Sequence, residues 1–316
     1  MSLNKESVTF EASIGGGNRI QGYIYPTSSS SPKGIIQICH GMAEYIGRYE
    51  EMIAFLNEKG WHVCGMDMLG HGGTYELNKN NDMPLGYFGE GKEAIFKTIS
   101  DILKMRKETR NRLGEDLPIF LYGHSMGSFV ARAIYSLPKY NKGYDAYLIS
   151  STMGPNPAVG FAKFLASMAG KKKPANLVNA AAFGSYNKRI KNAKTPFDWI
   201  STDEKEIDIY VKDDMLGFTF TGKGFYDLFT LVDFIQSPDA YNNLALSPIF
   251  FTYGEEDPVG SYGVGVKKVI KAMEDKGAPV DEKSYGPYRH EIQHEPVRSE
   301  YFADIDKFFT KNLSRG

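Results

Sequence analysis

Ser125 lies at the centre of Gly123-His-Ser-Met-Gly127, after the apolar run Leu117-Pro-Ile-Phe-Leu-Tyr122 and before a helical stretch, Ser128 to Ser136. A buried strand, a tight glycine-flanked turn and a helix, in that order, present a serine hydroxyl at the apex of a strained bend, the nucleophile elbow. The spacing alone is a weak signal, and the flanking elements give it weight. A serine hydroxyl is a poor nucleophile near neutral pH, so it needs a base, and the base needs an orienting acid. Behind such an elbow both partners are expected downstream, acid before histidine. Of the six histidines only His290 and His294 follow Ser125. His290, in Tyr285-Gly-Pro-Tyr-Arg-His-Glu291, occupies a loop just past the last strand reading, where an imidazole can reach the elbow. It is preferred to His294, which reads as a surface or capping residue. Asp257, in Gly254-Glu-Glu-Asp-Pro-Val259, directly follows an apolar run ending at Tyr253 and is preferred as the acid to Asp233 and Asp239, which lack a preceding strand. Glu255 and Glu256 read as solvated turn charges.

Acyl transfer also needs donors aimed at the developing oxyanion. The N–H of Met126, the residue after the nucleophile, supplies one, and the N–H of Met42, in the loop His40-Gly-Met-Ala-Glu44 after the third strand, supplies the other. His40 is read as ordering that loop by hydrogen bonding. This chemistry calls for no metal and no organic cofactor.

The elements that must hold these residues follow from periodicity. Val8–Ile14 and Arg19–Tyr25 flank Gly15-Gly-Gly-Asn18, a hairpin signal. Strand readings follow at Gly34–Cys39, Trp61–Met66, Pro118–Tyr122, Ala146–Ser150, Ser247–Tyr253 and Pro279–Tyr285, alternating with helices that include 91–113, 264–276 and 296–313. That rhythm implies an α/β fold: a mostly parallel sheet of about eight strands flanked by helices. It breaks between residues 153 and 242, where helical pieces predominate. Residues 1–152 and 243–316 are therefore read as the core domain, and 153–242 as an inserted helical cap over the carboxyl ends of the strands. In the cap, Phe161, Phe164, Leu165 and Met168 fall at i, i+3, i+4 and i+7 and are expected to pack on the main domain, with Lys171-Lys-Lys173 solvated beyond them. Transient contact with membranes or micelles is the competing expectation, and an acyl-chain tunnel lies between the two. Phe218, Phe220, Phe225, Tyr226 and Phe229 either share that tunnel or form cap core.

The 316 residues carry 37 basic and 38 acidic side chains, a formal charge of −1, which gives no reason to expect a nucleic-acid partner. Cys39 and Cys64 lie in apolar strand runs and read as small core hydrophobes. The amino-terminal residues lack the apolar stretch of a signal peptide, and no run reaches membrane-spanning length, so a cytoplasmic protein is expected.

Taken together, His40-Gly-Met-Ala-Glu44 with Arg48-Tyr49, Asp67-Met-Leu-Gly-His-Gly72 with Thr74, the serine pentapeptide, Gly254–Val259 and Arg289-His-Glu291 with Glu295 resemble the α/β-hydrolases of the monoacylglycerol lipase and lysophospholipase group, a serine aminopeptidase S33-like set. The matches run in order over most of the chain, and Trp199, Ser201, Asp203, Tyr210, Asp213 and Gly217-Phe218 fall where that group's cap carries a similar pattern. The resemblance implies Ser125, Asp257 and His290 as the triad and Met42 and Met126 as oxyanion donors. Tyr45, Leu69, Leu216 and His294 depart from the group's usual residues, which bears on substrate preference rather than on the reaction. The expected function is hydrolysis of monoacylglycerols, lysophospholipids or related small esters, probed against three alternatives: a thioesterase, an aminopeptidase using a cap carboxylate, and a non-catalytic ligand-binding scaffold.

Overall fold

A computed structural model describes residues 3–92 and 94–313. Eight strands form one sheet: β1 (Glu6–Glu11), β2 (Arg19–Tyr25), β3 (Gly34–Cys39), β4 (Trp61–Met66), β5 (Ile119–His124), β6 (Ala146–Ser150), β7 (Ile249–Gly254) and β8 (Val280–Tyr285). Their spatial order is β1-β2-β4-β3-β5-β6-β7-β8, parallel from β4 to β8 and antiparallel where β2 meets β1 and β4. β1 ends earlier than its sequence suggests because the turn already begins at Ala12, whose N–H and carbonyl bond Asn18 and Gly15. Gly15, Gly16 and Gly17 all have φ near +75° there, a backbone that side chains oppose.

The central strands read as nearly continuous apolar runs because both faces are covered, and residue parity sorts them into two layers. Ile35, Cys39, Ile119, Leu121, Tyr147 and Ile149 face one core. Past the short α2 (Gly72–Asn78), it is covered by α3 (Ala94–Leu113), α4 (Met126–Ser136) and α10 (Val264–Glu274). Ile36, Ile38, Phe120, Tyr122 and Leu148 face the other, beneath α1 (Glu50–Glu58) and α11 (Arg298–Lys311). The helix expected over 91–113 is described from Ala94, position 93 lying outside the described residues. Cys39 and Cys64 are buried and unpaired, and burial pushes the Cys64 thiol up to about 12.

Between β6 and β7 come α5 (Val159–Met168), α6 (Asn176–Phe183), α7 (Glu204–Lys212), α8 (Gly222–Ile235) and α9 (Pro238–Asn242). Arg132 on α4, itself buried, donates to the carbonyls of Met153 (3.1 Å) and Ile235 (3.2 Å), so one side chain ties the start of this segment and the end of α8 to the same core helix.

The packing expected of the α5 stripe is not what the structure shows. Phe161, Phe164 and Met168 are 66%, 57% and 71% exposed. The helix instead buries Val159 and Ala166, with Leu165 partly covered, against α8. Small side chains at the inner positions permit close approach to α8, and the larger ones are left on the outside. The aromatics of this segment also divide: Phe220 and Phe225 are fully buried core, whereas Phe218 and Phe229 line a cavity. Among the described residues no helix is long and apolar enough to cross a membrane.

Candidate active site

Strand β5 runs two residues beyond its apolar stretch, because Gly123 and His124 still pair with Ile149 and Ser150 of β6. Ser125 therefore leaves the sheet abruptly, at φ 51° and ψ −119°, and Met126 starts α4. A non-glycine residue at this φ is strained, and its neighbours hold it there. The Ser125 N–H donates to Ser150 O at 3.0 Å, and Ser125 O accepts from the N–H groups of Ser128 and Phe129. The flanking glycines are required by crowding. A Cβ on Gly127 would press into the carbonyls of Cys39 and His40, and one on Gly123 into the carbonyl of Gly127.

Asp257 and His290 follow the carboxyl ends of β7 and β8, on the same edge of the sheet as the elbow. Asp257 is fully buried; its Oδ1 accepts from the Val259 N–H at 2.9 Å and lies 3.0 Å from His290 Nδ1. With that bond made through Nδ1–H, the neutral ring leaves the His290 Nε2 unprotonated and able to accept a proton. Burial opposes charging the His290 ring, but the adjacent Asp257 carboxylate outweighs it and holds the imidazole above its ordinary pKa. The ring lies between Trp199 and His124, with centroids 5.0 and 4.9 Å away, and its backbone carbonyl accepts from Ser151 Oγ at 2.6 Å. Among the described residues no hydrogen bond joins Ser125 Oγ to the His290 ring, although both line one cavity; such bonds commonly tighten only in the substrate complex.

Met42 and Met126 line the same cavity. Among the described residues neither N–H donates to a protein acceptor, which leaves both free for an oxyanion. His40 orders the Met42 loop as expected: the Met68 N–H donates to its Nε2 at 2.9 Å, so Nδ1 carries the proton and donates to Gly41 O at 2.8 Å. His40 is thereby committed as a neutral, structural ring, and burial lowers its pKa.

His294 differs from its expectation. It is buried, 3.5 Å from Glu206 on α7, and burial followed by the nearby Arg48 charge lowers its pKa to about 3. Asp233 pairs with Lys163 on the surface, and Glu255 and Glu256 are exposed.

A buried ionic network was not legible as such in the sequence. Arg48 forms a two-pronged pair with Glu291 (2.7 and 2.8 Å) and reaches Glu44 at 3.1 Å. Glu44 accepts from the Gly41 N–H, beside Met42, and from Tyr49 OH. Glu291 immediately follows His290. One guanidinium thus joins the Met42 loop to the His290 loop. Glu295 adds a second tie, accepting from the Arg289 N–H and from Ser201 and Thr202. The available signal was charge lying inside otherwise apolar segments, with Glu44 and Arg48 four residues apart.

The cavity above the elbow measures about 630 Å³, a size typical of small-ligand sites. Phe129, Leu165, Phe218, Phe229 and Val232 give it apolar walls. The carboxylates among its lining residues are Glu44 and Glu291, both tied to Arg48.

A mostly parallel eight-stranded sheet, a serine elbow and a hydrogen-bonded acid–histidine pair at its carboxyl edge define an α/β-hydrolase. The chain belongs to the serine aminopeptidase, S33 family, whose model matches residues 30–297. It is similar to the phospholipase YtpA of Bacillus subtilis (36% identity over 100 residues, 32% of this chain), spanning only 33% of that protein. It is 24% identical to the monoacylglycerol lipase of Mycolicibacterium smegmatis over 304 residues, covering 94% of this chain and 95% of that one. A carboxyl esterase from Bacillus coagulans, solved with glycerol, superposes with a TM-score of 0.88 at 27% identity, covering 99% of this chain and all of the other.

Proposed function

We propose that this protein is a serine carboxylic-ester hydrolase acting on monoacylglycerols, lysophospholipids or related small lipid esters. Ser125 Oγ attacks the ester carbonyl while His290 Nε2 takes its proton, and Asp257 holds the ring and stabilises the imidazolium. The Met42 and Met126 N–H groups receive the oxyanion. His290 then protonates the leaving alcohol, and a water it deprotonates releases the acid from the acyl-enzyme. The observation that carries the reading is a strained serine and a buried histidine–aspartate pair opening onto one apolar cavity. The similarity to lipases and an esterase supports the ester bond and the acyl substrate.

An aminopeptidase needs a free carboxylate near the site to hold an α-ammonium. The carboxylates of the segment that could serve, Asp203, Glu204, Asp213 and Asp214, are not among the cavity's lining residues. Asp213 instead accepts from Tyr45 OH at 2.8 Å, and Asp203 caps α7. The ester reading is therefore favoured. A cytoplasmic setting is part of the same proposal.

The test is a panel of nitrophenyl esters of increasing chain length, aminoacyl amides, acyl thioesters and monoacylglycerols, run beside Ser125→Ala. Medium or long acyl esters are expected to be turned over best, with fluorophosphonate labelling abolished in Ser125→Ala. Faster turnover of aminoacyl amides or thioesters, labelling that persists in the variant, or ligand binding without turnover would each overturn the proposal.

A further inference from the structure

Residues 146–197 contain eight basic side chains and no Asp or Glu, in a chain whose formal charge is −1. This stretch holds α5 and α6, and it carries a concentrated apolar exposure. Phe161, Phe164 and Met168 project from α5, and Leu177, 88% exposed, from the adjacent α6. Lys163, Lys172 and Lys194 are neutralised by Asp233, Asp82 and Glu204. Arg189 stacks on Tyr262, 3.4 Å from the ring centroid. Lys171, Lys173, Lys188 and Lys191 have no carboxylate partner among the described residues.

Phe161 supplies the link to the chemistry. It lines the cavity above Ser125 and yet is two-thirds exposed, so it stands at the cavity's mouth. Large apolar side chains left in water around a pocket mouth mark an interaction surface. Lysines beside such a face select an occupant with an apolar interior and a negatively charged skin. Such a face lies in the plane of a bilayer interface, with the apolar side chains of α5 and α6 among the acyl chains and the lysines of the segments that follow these helices at the headgroups.

We infer that the α5–α6 face of the cap docks on an anionic lipid surface, with the cavity mouth turned toward the acyl chains. The inference rests on the esterase reading only for why lipid should be presented to this mouth. Docking itself requires no catalysis.

Co-sedimentation with vesicles separates the two. The full-length protein is expected to bind phosphatidylcholine vesicles containing about 30% phosphatidylglycerol, to bind pure phosphatidylcholine weakly, and to lose anionic binding at about 0.5 M salt. Ser125→Ala should bind like the wild type, so failure of the esterase proposal would leave this result untouched. Lys171→Glu with Lys173→Glu should lower partitioning onto anionic vesicles about thirtyfold and leave the zwitterionic partition unchanged. Phe164→Ser, Met168→Ser and Leu177→Ser together should lower both by tenfold or more. None of these five residues lines the cavity, so hydrolysis of a soluble short-chain ester serves as the folding control. The inference is overturned if the wild type binds neither vesicle, or if neither set of substitutions reduces binding. It is also overturned if the serine substitutions dissolve a dimer seen by light scattering while vesicle binding is absent, which would make the face an interface between copies of this chain.

Discussion

Replacing Arg48 tests whether one buried cation holds the oxyanion loop and the histidine loop in register. In Arg48→Met, Glu44 and Glu291 lose their shared counter-charge while remaining buried. Breaking a buried pair by removing one partner costs about 3–5 kcal/mol, which in a domain of this size lowers Tm by roughly 5–8 °C. The uncompensated carboxylates would also stabilise the His290 imidazolium, which both already favour. The pH midpoint for ester hydrolysis, which tracks the loss of that proton, should therefore move to higher pH. Arg48→Lys separates charge from geometry. It keeps the cation but lacks the planar fork that meets both Glu291 oxygens. The pH midpoint should stay near wild type while kcat on a soluble nitrophenyl ester falls roughly 10- to 100-fold, the scale of an ångström-level misplacement. The assays are thermal unfolding and kcat against pH for both variants. Wild-type Tm and kcat in Arg48→Lys, or an unmoved pH midpoint in a folded Arg48→Met, would refute the coupling.

Other outcomes follow from the same geometry. Because Asp257 holds the His290 pKa above its usual value of 6.5, esterase activity should rise with pH through a midpoint above 6.5; Asp257→Asn should lower that midpoint and reduce kcat by about 10⁴-fold. The sign for stability is opposite: the Asp257–His290 pair stabilises the fold fully below the unfolded histidine's pKa and loses that contribution as pH rises through the raised one, which chemical denaturation across pH 5–9 would detect. Gly127→Ala should fail to give folded protein or lower Tm sharply, since the added methyl meets two backbone carbonyls rather than flexible side chains. Leu165→Trp, by filling part of the cavity, should lower the ratio of long-chain to short-chain kcat/KM by about tenfold in a nitrophenyl ester series.

Strand positions and the elbow were legible because burial on both faces leaves a local imprint: nearly continuous apolar runs such as Ile35–Cys39, interrupted by Gln37 alone, and crowded glycines such as Gly123 and Gly127 beside the serine. His290 was reached by chain order, since only two histidines follow the serine, and Asp257 by its place directly after an apolar strand run. The α5 stripe misled for a physical reason. Helical spacing reveals that an apolar face exists, but not whether protein or another phase covers it, and here the inner face is made by Val159 and Ala166. His294 was misjudged for a related reason. Its burial depends on α7, roughly 85 residues earlier in the chain, folding back over it. The Arg48 network escaped because its partners, at 44 and 291, are brought together by the sheet and carry no mutual signature in the sequence.

The twin bonds from Arg132 to Met153 and Ile235 bear on how this scaffold tolerates remodelling. They rivet the start of the helical segment after β6 and the end of α8 to the same girder that begins one residue after Ser125. A chimaera that exchanged only the material between those two carbonyls would inherit both bonds, and it would leave the elbow undisturbed only if the graft reproduced the α8 surface that packs on α4. Splice points placed outside them would transmit any mismatch straight into the serine's own helix.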